Sequence, residues 1–220
     1  MVVKGISEGF HDASVALVNK EEIVWAKHAE RITRKKNDRH NPESLRNADA
    51  AVSVFHENVP LKNRRRAEFG QSLLSTKIFD DCDYHLDHHE SHAAGAYYTS
   101  PFTEDVVCLV IDAIGEWTTS SVWIIERGKL KKVFEKIYPQ SIGLFYSAIT
   151  KRIGLKPNED EYITMGMAAY GKPMVDMQYC FNDWANWHKG FTLDDFKGHS
   201  PEDIAASAQL QAEHEIEKMV

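Results

Sequence analysis

The sequence predicts an α/β fold, on three observations. Three strands fall within the first thirty residues: 2–8 (VVKGISE), 14–18 (SVALV) and 23–30 (IVWAKHAE), the last two joined as a hairpin by the polar turn Asn19-Lys20-Glu21-Glu22. Residues 105–112 (DVVCLVID) are nearly all apolar, as expected of a strand buried on both faces. Segments of helical period with recognisable starts lie between and after the strands. With 220 residues, 43% hydrophobic and 27% charged, the chain can build one large domain or two small ones around a real core.

After the first hairpin, residues 31–42 (RITRKKNDRHNP) are basic and polar, without apolar periodicity, and read as a surface loop. Asn41 then reads as the N-cap of a helix with Pro42 at its first helical position, and Leu45, Ala48, Val52 and Phe55 as its apolar stripe. Residues 58–80 resist assignment. Within them, Arg64-Arg65-Arg66 reads as a solvated charge run rather than a phosphate-facing patch. Residues 84–102 (YHLDHHESHAAGAYYTSPF) read as a helix that Ser100-Pro101 stops.

Past the strand at 105–112, residues 120–126 and 129–137 form a hairpin across Arg127-Gly128, and Ser141-Ile142-Gly143 leads into a helix at 143–153. The Gly- and Ala-rich residues 161–171 end at Gly171-Lys172-Pro173. Residues 174–200, with Trp184 and Trp187, read as a strand pair or a packed loop. A last helix starts at Ser200-Pro201-Glu202-Asp203 and places Ile204, Ala205, Ala208, Ala212, Ile216 and Met219 on its apolar side. It ends on a periodic pattern without a clear cap, which suggests a fragment or a shortened protein.

Charge and composition exclude some classes. A net charge of −7 does not favour nucleic acid or an anionic membrane as partner. No stretch has the length of a membrane span, and the start MVVKGISEGF has no apolar signal region. Cys82, Cys108 and Cys180 are odd in number and far apart, so a disulfide framework is not expected and a reducing cytoplasm is the plain reading.

Three segments carry candidate chemistry. The first is Phe10-His11-Asp12-Ala13-Ser14, between two strands, whose small residues let backbone N–H groups and the Ser14 hydroxyl approach an anion; a tight turn with Asp12 bonded to its own backbone explains the same residues. The second holds four of the eleven histidines, at 85, 88, 89 and 92. His88 and His92 are four apart, one above the other on a helix, and two imidazoles at that spacing can share a metal ion. The protease pattern H-E-x-x-H is not met, because position 93 is alanine. The third is Asp112-Ala113-Ile114-Gly115-Glu116, a carboxylate at the end of a strand followed by a glycine turn. Two imidazoles and the Asp112 carboxylate would make a facial set suited to Fe(II), Mn or Zn, with positions open for substrate.

In order, the segments HDASVALV, ERITRKKND, DHHESHAAGAYYTSPF, VIDAIGEWTTSS and EYITMGMAAYGKP, after an N-terminal strand, resemble the N-terminal part of the NodU/CmcH-type O-carbamoyltransferases. The resemblance runs from residue 1 to about residue 175. It implies an actin-like ATPase (ASKHA, ribonuclease H-like) fold with a mixed sheet flanked by helices, of which this chain is the N-terminal half. Residues 1–175 would form the core subdomain and 176–220 a connecting segment and helix. The second half of that domain, and the YrdC-like domain that makes carbamoyladenylate from carbamoyl phosphate and ATP, would then be absent, and the chain alone would be inactive.

The resemblance also implies a site. His88 and His92 would ligate iron or zinc, with Asp112 as a further ligand. His11 and Asp12 would lie at the transfer site, with His11 acting on the acceptor hydroxyl. Ser14, Gly115, Glu116 and Gly166, the last in the MGMAAYG stretch, would contact the nucleotide. Carbamoyl transfer from carbamoyladenylate to a hydroxyl of a sugar-like or antibiotic-like small molecule is the implied reaction. The implied partners are that acceptor and the missing C-terminal portion, with a homodimer left open. Three departures stand out: Ala113 replaces a glycine and Ala169 a proline of the family pattern, and residues 58–80 do not match the strand-containing segment expected there. Ala113 would crowd the backbone if its position needed a positive φ. Two alternatives remain: a TsaD-like enzyme of tRNA threonylcarbamoylation, against which the acidic balance argues, and a shortened, non-catalytic metal-binding or interaction module.

Overall fold

The computed structural model describes residues 1–182 and 189–220. The chain forms two compact units, Met1–Pro101 with Gly115–Trp117, and Phe102–Ile114 with Thr118–Val220.

The first unit is built on a five-stranded mixed sheet. Strands β1 (Val3–Ser7), β2 (Ser14–Val18) and β3 (Ile23–His28) form an antiparallel meander, and β4 (Val52–Phe55) and β5 (Tyr84–His85) extend it in parallel, giving the order β3-β2-β1-β4-β5. A parallel neighbour requires a crossover. Between β1 and β4 it runs through the hairpin and the one-turn helices α1 (Glu30–Thr33) and α2 (Glu43–Arg46). Between β4 and β5 it runs through α3 (Val59–Glu68) and α4 (Lys77–Asp80), and α5 (His88–Tyr98) follows β5. Alternate strand positions point one way. Accordingly Ile6, Val15 and Phe55 meet Leu45 of α2 and Val59 of α3 in one buried cluster.

Two expectations for this unit need correction, the apolar stripe and the Asn41 cap, and a third, the loop at 31–42, holds with anchors added. The stripe Leu45, Ala48, Val52, Phe55 is not one helix: α2 ends at Arg46, and residues 52–55 pair Val52 to Val3 and Phe55 to Ile6 as strand β4. The run Val-Ser-Val-Phe is rich in β-branched and aromatic residues, and the edge of β1 supplies its hydrogen bonds, so strand wins over a short helix. Residues 31–42 are mostly exposed, as a surface loop would be, but they open with the end of α1 and are anchored at two points. Asp38 and Asn41 are buried. Gly9 N donates to Arg39 O and Ala13 N to Asp38 O, both at 2.8 Å. Asn41 is not a helix cap, since Pro42 holds that position. Its amide instead donates to Ser7 O at 3.0 Å and to Glu8 Oε2 at 3.1 Å. The buried Glu8 carboxylate also accepts from Arg46 Nε at 3.2 Å and Nη2 at 2.5 Å. The segment therefore clamps the loop that carries His11 and Asp12.

The second unit has a three-stranded antiparallel sheet, β6 (Val106–Ile111), β7 (Thr118–Glu126) and β8 (Lys129–Ile137), with β7 in the middle. The predicted hairpin is there, and Arg127 and Gly128 both adopt positive φ, 49° and 74°, as a tight two-residue hairpin turn demands. The apolar run at 105–112 is an edge strand rather than one buried on both faces; Val107 is 63% exposed. Among the described residues four helices complete the unit: α6 (Ile142–Arg152), α7 (Glu161–Ala168), α8 (Tyr179–Asn182) and α9 (Pro201–Glu217). Ser141 caps α6 by accepting from Leu144 N, and Ser200 caps α9 by accepting from Asp203 N. Phe145, Ile149, Met177, Cys180, Phe181, Ile204, Ala208 and Ala212 form the core. In the described part of 174–200 a short helix and turns stand where a strand pair was an option; Trp184 and Trp187 lie outside the described residues. No helix among the described residues is long and apolar enough to cross a membrane.

Candidate metal centre

In the first unit the site is assembled at the start of α5. His88 is its first residue, and Asp87, at the cap position, makes no side-chain capping bond. The buried carboxylate of Glu116 serves instead, accepting from His88 N at 3.0 Å through Oε1 and from Asn58 N at 2.6 Å. Asn58 caps α3, so one carboxylate stands at the N-termini of two helices, where an anion is favoured. Arg65 donates from Nε to Glu116 O and from Nη2 to Gly115 O, the latter at 3.3 Å. Arg65 is thus buried and structural, not part of a solvated run, whereas Arg64 is exposed.

His88 and His92, one turn apart, bring their Nε2 atoms to 3.1 Å of each other, with ring centroids 4.6 Å apart at 75°. Two Zn–N or similar bonds of ~2.1 Å at an angle between about 90° and 110° separate the nitrogens by roughly 3.0–3.4 Å. The pair therefore fits one cation. Its chemistry, imidazole nitrogen on an exposed-to-half-buried helix face, suits Fe(II), Mn or Zn.

Behind His88 lies a buried polar group that the sequence did not reveal. His56 and Glu57 directly follow β4, and Lys62 sits one turn into α3. Glu57 is fully buried; its Oε2 is 2.6 Å from Lys62 Nζ and 3.7 Å from His88 Nδ1. Burial pushes the Glu57 carboxyl up, but His88, Lys62 and His56 outweigh it and hold it at about 2. Burial pushes His56 down to about 4, against the opposing pull of Glu57. Lys62 Nζ also lies 4.5 Å from the centre of the Phe10 ring, beside His11.

The remaining expected residues are placed as follows. His11 Nδ1 is 2.8 Å from Asp12 Oδ2 in the β1–β2 loop, with His11 exposed and Asp12 at φ 50°. Ser14 is the first residue of β2, paired to Ser7. His85 stacks on Phe79 at 3.7 Å and bonds to Phe79 O, whereas His89 is buried. In the second unit Asp112 directly follows β6; its Oδ1 accepts from Ala113 N at 2.6 Å. Ala113 does not adopt positive φ, so alanine fits there without strain. Gly143 at the start of α6 packs on this turn, and Ser141 Oγ donates to Ala113 O at 2.6 Å. Gly166 lies within α7 with open space beside it.

This architecture and histidine helix have a family. The carbamoyltransferase N-terminus family matches residues 61–194, and the chain belongs to it. An uncharacterized protein of Synechocystis sp. is 34% identical over 78% of this chain and 35% of its own length. The nodulation protein NolNO of Sinorhizobium fredii is 25% identical over 74% of this chain and 28% of its own length. The chain thus spans about a third of the curated relatives it matches. Among solved structures, an Aquifex aeolicus Ppx/GppA phosphatase aligns over 80% of this chain and 66% of its own, at 11% identity and a TM-score of 0.34. That likeness is too distant to argue from. The mixed α/β class, as expected from the sequence, rests on the strand order itself.

Proposed function

We propose that the chain contributes the metal-holding and acceptor-facing parts of an O-carbamoyltransferase, which moves a carbamoyl group from carbamoyladenylate to a hydroxyl of a small-molecule acceptor. Family membership supports the reaction class. The observation that carries the site is the convergence of the His88 and His92 Nε2 atoms at 3.1 Å. Fe(II), or Zn or Mn in its place, is the proposed cation; bound there, it supplies Lewis-acid stabilisation of negative charge on phosphate and carbonyl oxygens. Asp112 as a further ligand, and Ser14, Gly115, Glu116 and Gly166 toward the nucleotide, are carried by resemblance.

His11 is the proposed base. Its Nδ1 faces Asp12 Oδ2 at 2.8 Å, an arrangement that keeps a proton on Nδ1 and leaves Nε2 to accept the proton of the acceptor hydroxyl. The imidazolium that forms is stabilised by the adjacent Asp12 carboxylate. The clamp of residues 38–46 on this loop holds the pair in place.

Anaerobic titration of the 220-residue chain with Fe(II), and separately with Zn(II) and Mn(II), tests the metal site. One cation is expected per chain, with binding weakened at least tenfold in His88→Ala and in His92→Ala. Wild-type affinity in both variants would refute the assignment. For the full-length protein with carbamoyl phosphate and ATP, His11→Ala is expected to lower carbamoyl transfer 10²–10⁴-fold while leaving metal content unchanged.

A further inference from the structure

We infer that Glu57 is a positioning residue of the metal centre: it holds the His88 ring with its proton on Nδ1 and its Nε2 lone pair turned toward His92. This rests on the reading of His88 and His92 as the metal pair. His56, Glu57 and His88 place ligand atoms within 4.8 Å of one another and at first sight form a metal site of their own. Lys62 decides against that. Its ammonium is itself buried and lies 2.6 Å from the same Oε2 that a cation would need. Two cations on one buried carboxylate oxygen would repel each other in a medium that screens poorly. With the metal excluded, what remains is a negative charge beside one edge of an imidazole whose other edge faces the second ligand.

The geometry fits that role. Glu57 Oε2 is 3.7 Å from His88 Nδ1, an ion-pair distance that a small side-chain rotation converts to a hydrogen bond. Glu57 Oε1 is buried without a hydrogen-bond partner among the described residues, so the carboxylate has acceptor capacity to spare. The His88 ring is confined elsewhere too. Its backbone N–H is held by Glu116, and a Cβ at Gly115 would come within 3.1 Å of His88 Cβ and Cδ2. A carboxylate at Nδ1 fixes the tautomer and raises the basicity of Nε2, and loss of such partners costs 10–100-fold in metal affinity.

The test is the double substitution Glu57→Leu with Lys62→Met. It replaces a buried ion pair by apolar side chains of similar volume, which folds tend to tolerate, and it leaves the net charge unchanged. Two readouts are taken on the ¹⁵N-labelled chain: the His88 tautomer from long-range ¹H–¹⁵N correlation without metal, and the affinity for Zn(II) and Fe(II). Wild type is expected to carry the His88 proton on Nδ1. The double variant is expected to lose that preference and to bind metal 10–100-fold more weakly. An unchanged tautomer together with unchanged affinity would overturn the inference. Should the double variant not fold, Glu57→Asp keeps the charge for Lys62 but withdraws it from His88. A several-fold loss of affinity is expected there, and wild-type affinity would overturn the inference. If wild type itself takes up no metal, the metal reading fails, and the tautomer comparison still decides the role of Glu57.

Discussion

Gly143 offers a sharp test of how the end of β6 is held. A Cβ built there would lie 2.7 Å from both N and Cα of Ala113 and 2.8 Å from the carbonyl carbon of Asp112. Non-bonded carbons rest at about 3.5–4.0 Å, so close to 1 Å must be opened between two backbone segments. Such overpacking costs about 1–3 kcal/mol. Replacing a helical glycine by alanine returns at most about 1 kcal/mol. Gly143→Ala is therefore expected to destabilise by up to roughly 2–3 kcal/mol, or up to about 8–12 °C in Tm for a chain of this size. Gly95 is the control. It lies inside α5 with nothing within 4 Å of a built Cβ. The same substitution there is expected to stabilise, by about 0.5–1 kcal/mol. Urea and thermal unfolding followed by circular dichroism measure both. A Gly143→Ala chain as stable as Gly95→Ala would refute the close approach of α6 to the Asp112 turn.

Three further outcomes are expected. Glu116→Gln keeps the shape but removes the charge that accepts from Asn58 N and His88 N; a loss of roughly 2–3 kcal/mol is expected by urea unfolding, together with weaker metal binding as α5 shifts. Glu8→Ala strips Arg46 and Asn41 of their buried acceptor; a loss of roughly 2–3 kcal/mol is expected, and faster amide exchange at Gly9 and Ala13, whose N–H groups bond to the clamped segment. Burial pushes the Cys180 thiol up to about 11 from 9.0. The unfolded thiol therefore ionises at a pH where the folded one does not, so stability is intact below pH 9 and falls as pH rises from 9 through 11. Cys180→Ala should flatten that fall, and Cys180 should react with a thiol reagent more slowly in the folded chain than in urea.

The elements that sequence shows are those whose signals are local. The hairpin across Arg127-Gly128, the serine caps at Ser141 and Ser200, and the apolar spacing of α9 are each contained within a few residues, and each is where it was expected. The misread elements depend on distant partners. Residues 52–55 are a strand because β1 stands beside them fifty residues away, and nothing within the segment names that partner. Asn41 looks like a helix cap until Glu8 and Ser7 present acceptors for its amide. Arg65 is one of three consecutive arginines, and only the carbonyls of Gly115 and Glu116 single it out. The same holds at the site. The i, i+4 histidine pair is legible because helical geometry brings it together. Glu57 is not, since it reaches His88 from the end of a strand whose existence the sequence left hidden. Its one local signal is the run Val-Ser-Val-Phe ahead of His-Glu, a strand pattern with polar residues at its carboxyl end.

The Glu116 carboxylate carries a structural load of its own, whatever it contributes to a nucleotide site. Within the first unit it receives backbone N–H groups at the start of α3 and of α5, while its own carbonyl receives Arg65. Two helix termini on its carboxylate and a guanidinium on its backbone carbonyl thus converge on one residue with almost no exposed surface. Withdrawing it to face a nucleotide would leave two helix N-termini without their anion and Asn58 N without its short bond. Positioning α5, and with it His88 and His92, is work that this residue already performs. Gly115 beside it acts in the same direction, since a side chain there would press on the His88 ring. In this reading, the Gly-Glu pair positions the proposed metal ligands His88 and His92 by fixing where their helix begins. A nucleotide contact from these two residues would have to come from the backbone groups that Arg65 and the helix termini leave available.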